Sequence, residues 1–423
     1  MRIIAILLLS FQAVIAGGSV FGPQPTGVPA VTGGVRVVGL GGAGLAIQDS
    51  LGIHSDNAAA AVNLTGTVLR AGVQSGLYTV SDKDKSDSDT EFGWQAFRLY
   101  LNIHSRYKMG FGIDPVSTTD FRTYRRDTLS YLGDSGTEYE IYEDRAFWKG
   151  SSVNIRWDHA LKISNKLAIG ATAAFLTNYR EINNTLDFYP LDPDEAKADS
   201  VQRGRDVYYH DVQRFKGFWG GLSLLAAPTE KLSIGAYWNS QAGGNWQTEQ
   251  TINNGREFST DNTSGSRPGE FGVGVGYRWT RQWASYVDVK QQSWKVKQFG
   301  PLYEDKGLDK TDAFAVMLGA EKLGGTRITD EGFDRWDYRA GVAFRKQPWQ
   351  VITPSGTGDV TETALSLGVS IPLAQQVGKV HTAFEFGQRS ASDADITETF
   401  ARFYLQLDMH EQWFKREQRK LRD

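Results

Sequence analysis

The chain has no cysteine in 423 residues. That excludes a disulfide framework, a thiol nucleophile, thiolate metal sites and a lipid-modified cysteine at the start of a mature chain. Histidine is scarce as well. The six present include no HExxH and no close pair, so no metal and no cofactor is expected. The acidic run Asp82, Asp84, Asp87 and Asp89 lacks the Gly and terminal Glu of a calcium loop and reads as a solvated loop. Ser, His and Asp occur without a nucleophile elbow, and no enzyme is expected. A net charge of −3 gives no support for nucleic-acid binding. Long apolar runs are missing too: past the N-terminus nothing approaches the ~20 residues of a transmembrane helix.

What is abundant is glycine (46) and aromatic side chains (12 Trp, 17 Tyr, 22 Phe). The first sixteen residues, MRIIAILLLSFQAVIA, carry Arg2, an apolar core from Ile3 to Leu9 and a small residue at Ala16. That is the pattern of a cleaved secretory signal peptide, so the mature chain is expected to begin near Gly17. A buried N-terminal helix is the alternative.

Elsewhere the pattern has period two. In TETFARFYLQLDM the odd positions give Thr399, Ala401, Phe403, Leu405, Leu407 and Met409, and the even ones Glu398, Phe400, Arg402, Tyr404, Gln406 and Asp408. One face is apolar and the other polar, which is a strand between two solvents. Similar runs recur at 271–279, 336–345, 363–371 and 380–386. With less regular ones near 67–80 and 107–119, they make about fourteen strand candidates. Brief links such as His104–Tyr107 and Lys162–Lys166 alternate with long polar ones at 81–91, 120–136, 189–200 and 253–269. An even strand count with short turns at one end and long loops at the other is the plan of an outer-membrane barrel. A soluble barrel or paired β-sandwiches would also alternate. Tryptophans at strand ends (157, 238, 279, 283, 336, 413) and an uncharged central band on one face favour the membrane. The reading is therefore all-β: a transmembrane antiparallel β-barrel of about fourteen strands. The barrel spans 67–409, and 410–423 is a basic periplasmic tail after Trp413 and Phe414.

Residues 17–66 do not alternate and are rich in Gly and Ala. A fourteen-strand barrel is wider than side chains fill, so this segment is expected to be a plug in the lumen. GLGGAG here lacks the βαβ context of a dinucleotide site. Arg36, Gly39, Gly41-Gly42-Ala43-Gly44 and Asp56…Asn63…Gly66 instead resemble the start of the FadL family of outer-membrane long-chain fatty-acid transporters. GVSIPL (368–373), EFGQR (385–389) and EQWFKR (411–416) resemble FadL-like proteins of unassigned substrate. The resemblance implies a hatch inside the barrel that includes Gly41, Gly42, Gly44, Asn63 and Gly66. The family's Asn-Pro-Ala-Gly stands here as Asn63-Leu64-Thr65-Gly66, which leaves the local bend open.

Strand parity points Arg98, Arg156, Arg278, Arg339 and Arg402 into the lumen, with Asp158, Asp288, Lys290, Glu321, Asp337, Arg345, Glu385 and Asp408. Arginine binds carboxylates in bidentate fashion, so the five arginines are candidate head-group contacts. Cross-wall bracing is the plainer reading. An apolar tail would meet Phe121, Tyr124 and Tyr131 of the long loops. Asp114-Pro115 sits inside a strand, where proline removes a ladder hydrogen bond. Either the strand leaves the sheet there, or the wall has a lateral gap, as the resemblance implies. The function expected is passive transport of a hydrophobic or amphipathic small molecule through a bacterial outer membrane, in contact with its lipid. The alternatives are a secretion-associated barrel of PorV-like type that binds a protein partner, and an open porin.

Overall fold

The computed structural model describes residues 18–22, 26–50, 54, 56–81, 86–133, 136–190, 206–252, 256–294, 311–325, 332–353, 356–373, 377–391 and 396–411. The expected leader (1–16) and the tail with Trp413 and Phe414 lie outside them.

Chain order opens with β1 (Val28–Pro29), the short helix α1 (Val35–Val38) and a 3-10 helix (Ala58–Asn63). The wall begins with β2 (Thr67–Ser81), β3 (Ser86–His104) and β4 (Tyr107–Thr118), and β5 (Phe121–Gly133) follows. Next come β6 (Gly136–Ser164), β7 (Leu167–Pro190), β8 (Asp206–Ala226), β9 (Leu232–Asn239), β10 (Ala242–Ile252) and β11 (Arg256–Arg267). The last seven are β12 (Glu270–Arg278), β13 (Trp283–Gln292), β14 (Ala313–Lys322), β15 (Asp337–Thr353), β16 (Gly356–Pro372), β17 (Gly378–Ala391) and β18 (Thr397–Glu411).

Fourteen of these make a closed antiparallel wall: β2–β4, β6–β9 and β12–β18. β18 pairs back onto β2 from Thr397↔Ser81 to Glu411↔Thr67, so no edge is left in hydrocarbon. The odd residues Phe403, Leu405, Leu407 and Met409 are exposed, while Arg402, Tyr404, Gln406 and Asp408 are buried. The same split holds on β16 and β17, where Leu365, Leu367, Phe384 and Phe386 form an exposed apolar band. Trp157, Trp238, Trp279 and Trp283 are exposed among the band's aromatics. Among the described residues no helix is long and apolar enough to cross a membrane. The strands do the crossing.

The remaining long strands correct the sequence reading. Stretches 120–136 and 253–269, taken there as loops, are largely paired strands. β5 pairs with the upper half of β6 (Phe121↔Trp148 to Gly133↔Gly136), and β10 pairs with β8 and β11. Together with β7 they form a sheet, β5-β6-β7-β8-β10-β11, rising above the wall at the long-loop end. Above the membrane both faces of a strand meet water, so no apolar-polar alternation marks it.

The described residues between 28 and 66 pack against the inner face of the wall. Leu40 lies on Gly319 and Gly341, Leu45 on Gly235, and Ala58–Ala59 on Gly170. These wall glycines leave flat ground for backbone to approach. Gly41 has φ +70°, and a Cβ there would sit 2.6 Å from the backbone of Val342, so only glycine fits. The segment runs the height of the barrel. It starts at Ser19, beside Glu398 at the long-loop end, and ends at Thr67, at the end of the short turns.

Candidate functional site

Strand β4 sets the site. Its ladder to β3 ends at Phe97↔Ile113, although β3 continues on β2 up to Ser86 and β4 continues on β6 up to Thr118. Both strands are bulged near this level: β2–β3 pairing slips between Gly72 and Val73, and β4–β6 pairing slips between Pro115 and Ser117. A bulge bends a strand and re-aims its side chains. Phe111 and Ile113 face outward, but Pro115 and Ser117, on the same parity, are buried. β4 has turned inward. Proline at 115 suits this because it has no N–H to leave unpaired when β3 departs. Phe92, further up β3, is still apolar and 44 % exposed, so the strands part within the apolar band. β1 takes the vacated edge: Val28 pairs with Thr118, Pro29 with Ser117, and the Ala30 N–H donates to the Val116 carbonyl at 2.9 Å.

Behind this opening lies a lumen cavity of about 230 Å³. Asp114–Ser117 form one side and Thr26, Pro29–Thr32 and Asp56 of the N-terminal segment another. Trp219, Trp294, Arg156 and Arg267 also reach it. Arg156 stacks on Trp219 at 5.4 Å and donates to Asp158 at 3.1 Å. Among the described residues Arg267 forms no ion pair and no side-chain hydrogen bond. Glu270, in the same lining, is the acidic group that attracts it.

Of the five expected arginines, Arg156 alone lines this cavity. Arg98 is taken up by Asp114 (2.8 Å), Asp158 (3.0 Å) and the Tyr100 hydroxyl (3.0 Å). Arg339 is held by Glu321 (3.2 Å) and Asp337 (3.0 Å), and Arg402 by Glu385 (3.1 Å) with its guanidinium 3.8 Å from the Phe400 ring. These three brace the wall. Arg278 is a correction of another kind: it lies exposed at the short-turn end of β12, where the barrel is no longer closed over it. Phe121 and Tyr124 do not reach the cavity either, because β5 belongs to the sheet above the wall. Phe121 packs on Trp148, and Tyr124 is 59 % exposed and donates to Glu143. The side chain of Tyr131 lies outside the described residues. Arg267 escaped the sequence reading because it sits in a stretch taken as loop, and Trp294 because nothing around it alternates.

The glycines and Asn63 of the expected hatch all belong to the packed N-terminal segment. Gly42 lines the cavity, Gly41 and Gly44 take positive φ, and Gly66 packs on His410. Leu64 has φ −63°, the value a proline would impose, so the bend survives its absence. The segment is anchored by charges the sequence placed in the wall. Asp288 accepts from the Gly44 and Leu45 N–H groups at 2.6 and 2.8 Å. Asn57 caps Ala59 and donates to the Leu45 carbonyl at 2.7 Å.

Two anchors titrate. Burial holds the His54 imidazole neutral, its pKa pulled down to about 3, and its Nδ1 accepts the Asp56 N–H. Burial alone would raise the Asp56 carboxyl, but the Lys290 ammonium at 2.5 Å outweighs it and holds the group well below the carboxylate range. Both folded pKa values are depressed. For His54 the docked form must refuse a proton that the free segment takes up below about 6.5. Asp56 acts in the same direction at lower pH. Docking is therefore expected to weaken by about 2 kcal/mol between pH 6.5 and 5, with one proton excluded over that range. Hydrogen exchange at residues 56–64 at the two pH values tests this. Equal protection would remove His54 as an anchor.

No curated protein sequence matches the chain. Among solved structures, a FadL homologue from Pseudomonas aeruginosa matches with a TM-score of 0.60 at 10 % identity, over 91 % of this chain and 99 % of that one. The Ralstonia pickettii toluene transporter TbuX matches at 0.57 and 14 % identity, over 92 % and 99 %. The Pseudomonas putida toluene transporter TodX matches at 0.55 and 13 %, over 92 % and 100 %. The chain shares the fold of the FadL-type outer-membrane channels. A family model described as BamG matches residues 3–420.

Proposed function

The chain belongs to the BamG family, and on that premise we propose that it is a bacterial outer-membrane barrel that passes an amphipathic small molecule by diffusion. The observation that carries this reading is the cavity that reaches the parted strands at Asp114–Pro115. An anionic head would meet Arg267 and Arg156, and a ring or short apolar body would lie against Trp219 and Trp294. The tail would leave sideways into lipid, where β1 now covers the opening. No step needs a nucleotide: the solute gradient drives it. The lining is more polar than a hydrocarbon pathway requires, which favours a charged amphiphile over a bare hydrocarbon.

Charge-assisted hydrogen bonds are worth about 1.5–3 kcal/mol. Arg267→Gln is therefore expected to weaken binding of a fluorescent long-chain carboxylate about tenfold or more, while Arg339→Lys leaves it unchanged. Equal affinity in wild type and Arg267→Gln would remove the head-group site.

A protein-binding role is favoured by a separate observation. The part of the sheet β5-β6-β7-β8-β10-β11 that rises above the wall reaches the lumen cavity only at its base, through Ala242 and Arg267, and the outer edge of β5 has no strand partner among the described residues. Purification from outer membranes in mild detergent separates the two readings. An enriched amphiphile detected by mass spectrometry supports transport; a stoichiometric protein companion without one supports the second.

A further inference from the structure

The lipid-facing surface changes character at the short-turn end of β13, β14 and β15. In mid-strand the outward positions Val287, Leu318 and Val342 stand side by side in the ladder, all exposed. Four residues nearer the short turns, about 13 Å along the strands, the same face carries Trp283, Lys322 and Tyr338. These too are direct cross-strand partners. Parity thus puts a lysine on the face that meets lipid, with an aromatic ring on either side. The Lys322 ammonium lies 5.9 Å from the centre of the Tyr338 ring, and Trp283 is exposed. A cation on this face is costly at the bilayer midplane and nearly free at the interface, so the row marks the membrane boundary.

The row is held from both sides. In the β12–β13 turn the Thr280 hydroxyl accepts the Gln282 and Trp283 N–H groups at 3.2 and 3.1 Å. The Gln282 carbonyl accepts the Leu323 N–H at 2.7 Å, which sets the exposed Arg281 beside the end of β14. Trp279 donates to the Ser285 hydroxyl at 3.0 Å and stays exposed. On the other side the Tyr338 hydroxyl donates to the Phe333 carbonyl at 3.1 Å, and Phe333 meets Trp336 edge-on. Among the described residues no carboxylate forms an ion pair with Lys322 or Arg281. The adjacent acids, Glu321 and Asp337, are buried on the inner face and engaged there by Arg36, Arg339 and Lys379. Asp334 is exposed in the Phe333 turn, with Arg335 next to it.

Short turns face the periplasm in such a barrel, and the leaflet there is glycerophospholipid. The anion available at this depth is the lipid phosphate. Lysine meets phosphate as a point charge, and Trp and Tyr rings settle at the headgroup level. We propose that Lys322 and Arg281, between Trp283 and Tyr338, bind the head group of an anionic glycerophospholipid of the periplasmic leaflet, its acyl chain lying over Leu318. The site does not depend on the transport reading; it serves equally a barrel that carries nothing.

The full barrel in an uncharged detergent is titrated with dioleoyl phosphatidylglycerol, with dioleoyl phosphatidylethanolamine and with inorganic phosphate, and retained lipid is counted by native mass spectrometry. One phosphatidylglycerol is expected to be held at a concentration about tenfold below that needed for the zwitterionic lipid. Lys322→Gln and Arg281→Gln should each weaken it about fivefold, and Lys322→Arg should keep it. Lys166 is exposed in another short turn, so Lys166→Gln should leave binding unchanged. All these side chains are on the surface, and retention of the folded band on unheated gels confirms each barrel. Equal affinity for the two lipids overturns the proposal. So does an equal loss in Lys166→Gln and Lys322→Gln, which would show diffuse attraction by a basic rim. Displacement of the lipid by inorganic phosphate would identify a free-anion site instead and also overturn it.

Discussion

Glu321→Ala is expected to destabilise the barrel interior by about 3–5 kcal/mol and to release the lower part of the N-terminal segment. Glu321 is 1 % exposed and has three donors. Arg36 of α1 reaches it at 2.7 and 3.0 Å, Arg339 of β15 at 3.2 Å, and the Tyr286 hydroxyl of β13 at 2.8 Å. Each guanidinium has one further carboxylate, Asp49 for Arg36 and Asp337 for Arg339. Removing the shared one leaves two buried guanidinium groups facing each other, each with a single remaining carboxylate. Taking one partner from a buried pair costs far more than the pair contributes, because the remaining charge cannot regain its water.

The break falls on the segment rather than on the wall. β14 and β15 keep their backbone ladder from Phe314↔Lys346 to Lys322↔Tyr338 whatever happens at Glu321. Arg36, in contrast, is the one ion-pair contact of α1 with the wall. Exchange at residues 35–47 should therefore rise by at least a hundredfold while the ladder amides of β14 stay protected. Glu321→Gln keeps an acceptor but not the charge and should fall between. If Glu321→Ala leaves the exchange of 35–47 unchanged, the ion pairs are solvated bracing and the segment is held by packing alone.

The parts legible in the sequence are those where one face meets lipid. Residues 397–409 gave the odd-even split, the closing strand and the inward direction of Arg402 and Asp408, because hydrocarbon rejects charge on alternate positions. Pro115 marked a fault in β4 for the reason it fits there: it cannot donate to a ladder. Three things were not legible. Above the membrane, β5 and β11 carry no alternation, so REFSTDNTSGSR reads like a loop and Arg267 was lost with it. Parity could place Arg98 in the lumen but not find its partner, since Asp158 is sixty residues away on β6. Nor could it separate bracing charges from a binding charge, because that depends on which groups already have partners. Only the three-dimensional arrangement separates Arg339, fully engaged, from Arg267.

We propose that the opening between β3 and β4 serves the lumen cavity and that β1 covers it. Val28 and Thr118 are direct cross-strand partners, and such pairs lie about 4.5–5.5 Å apart between Cα atoms, within the range a disulfide spans. The chain has no native cysteine, so a Val28→Cys/Thr118→Cys pair can form only the intended bond. Oxidation would fix β1 over the gap, and a reductant would free it. Uptake of a fluorescent long-chain carboxylate into proteoliposomes should drop at least tenfold in the oxidised form and return on reduction, with the single variants unaffected by either treatment. Equal uptake in the oxidised and reduced double variant would contradict the account, because solute would then be passing without β1 moving from the gap.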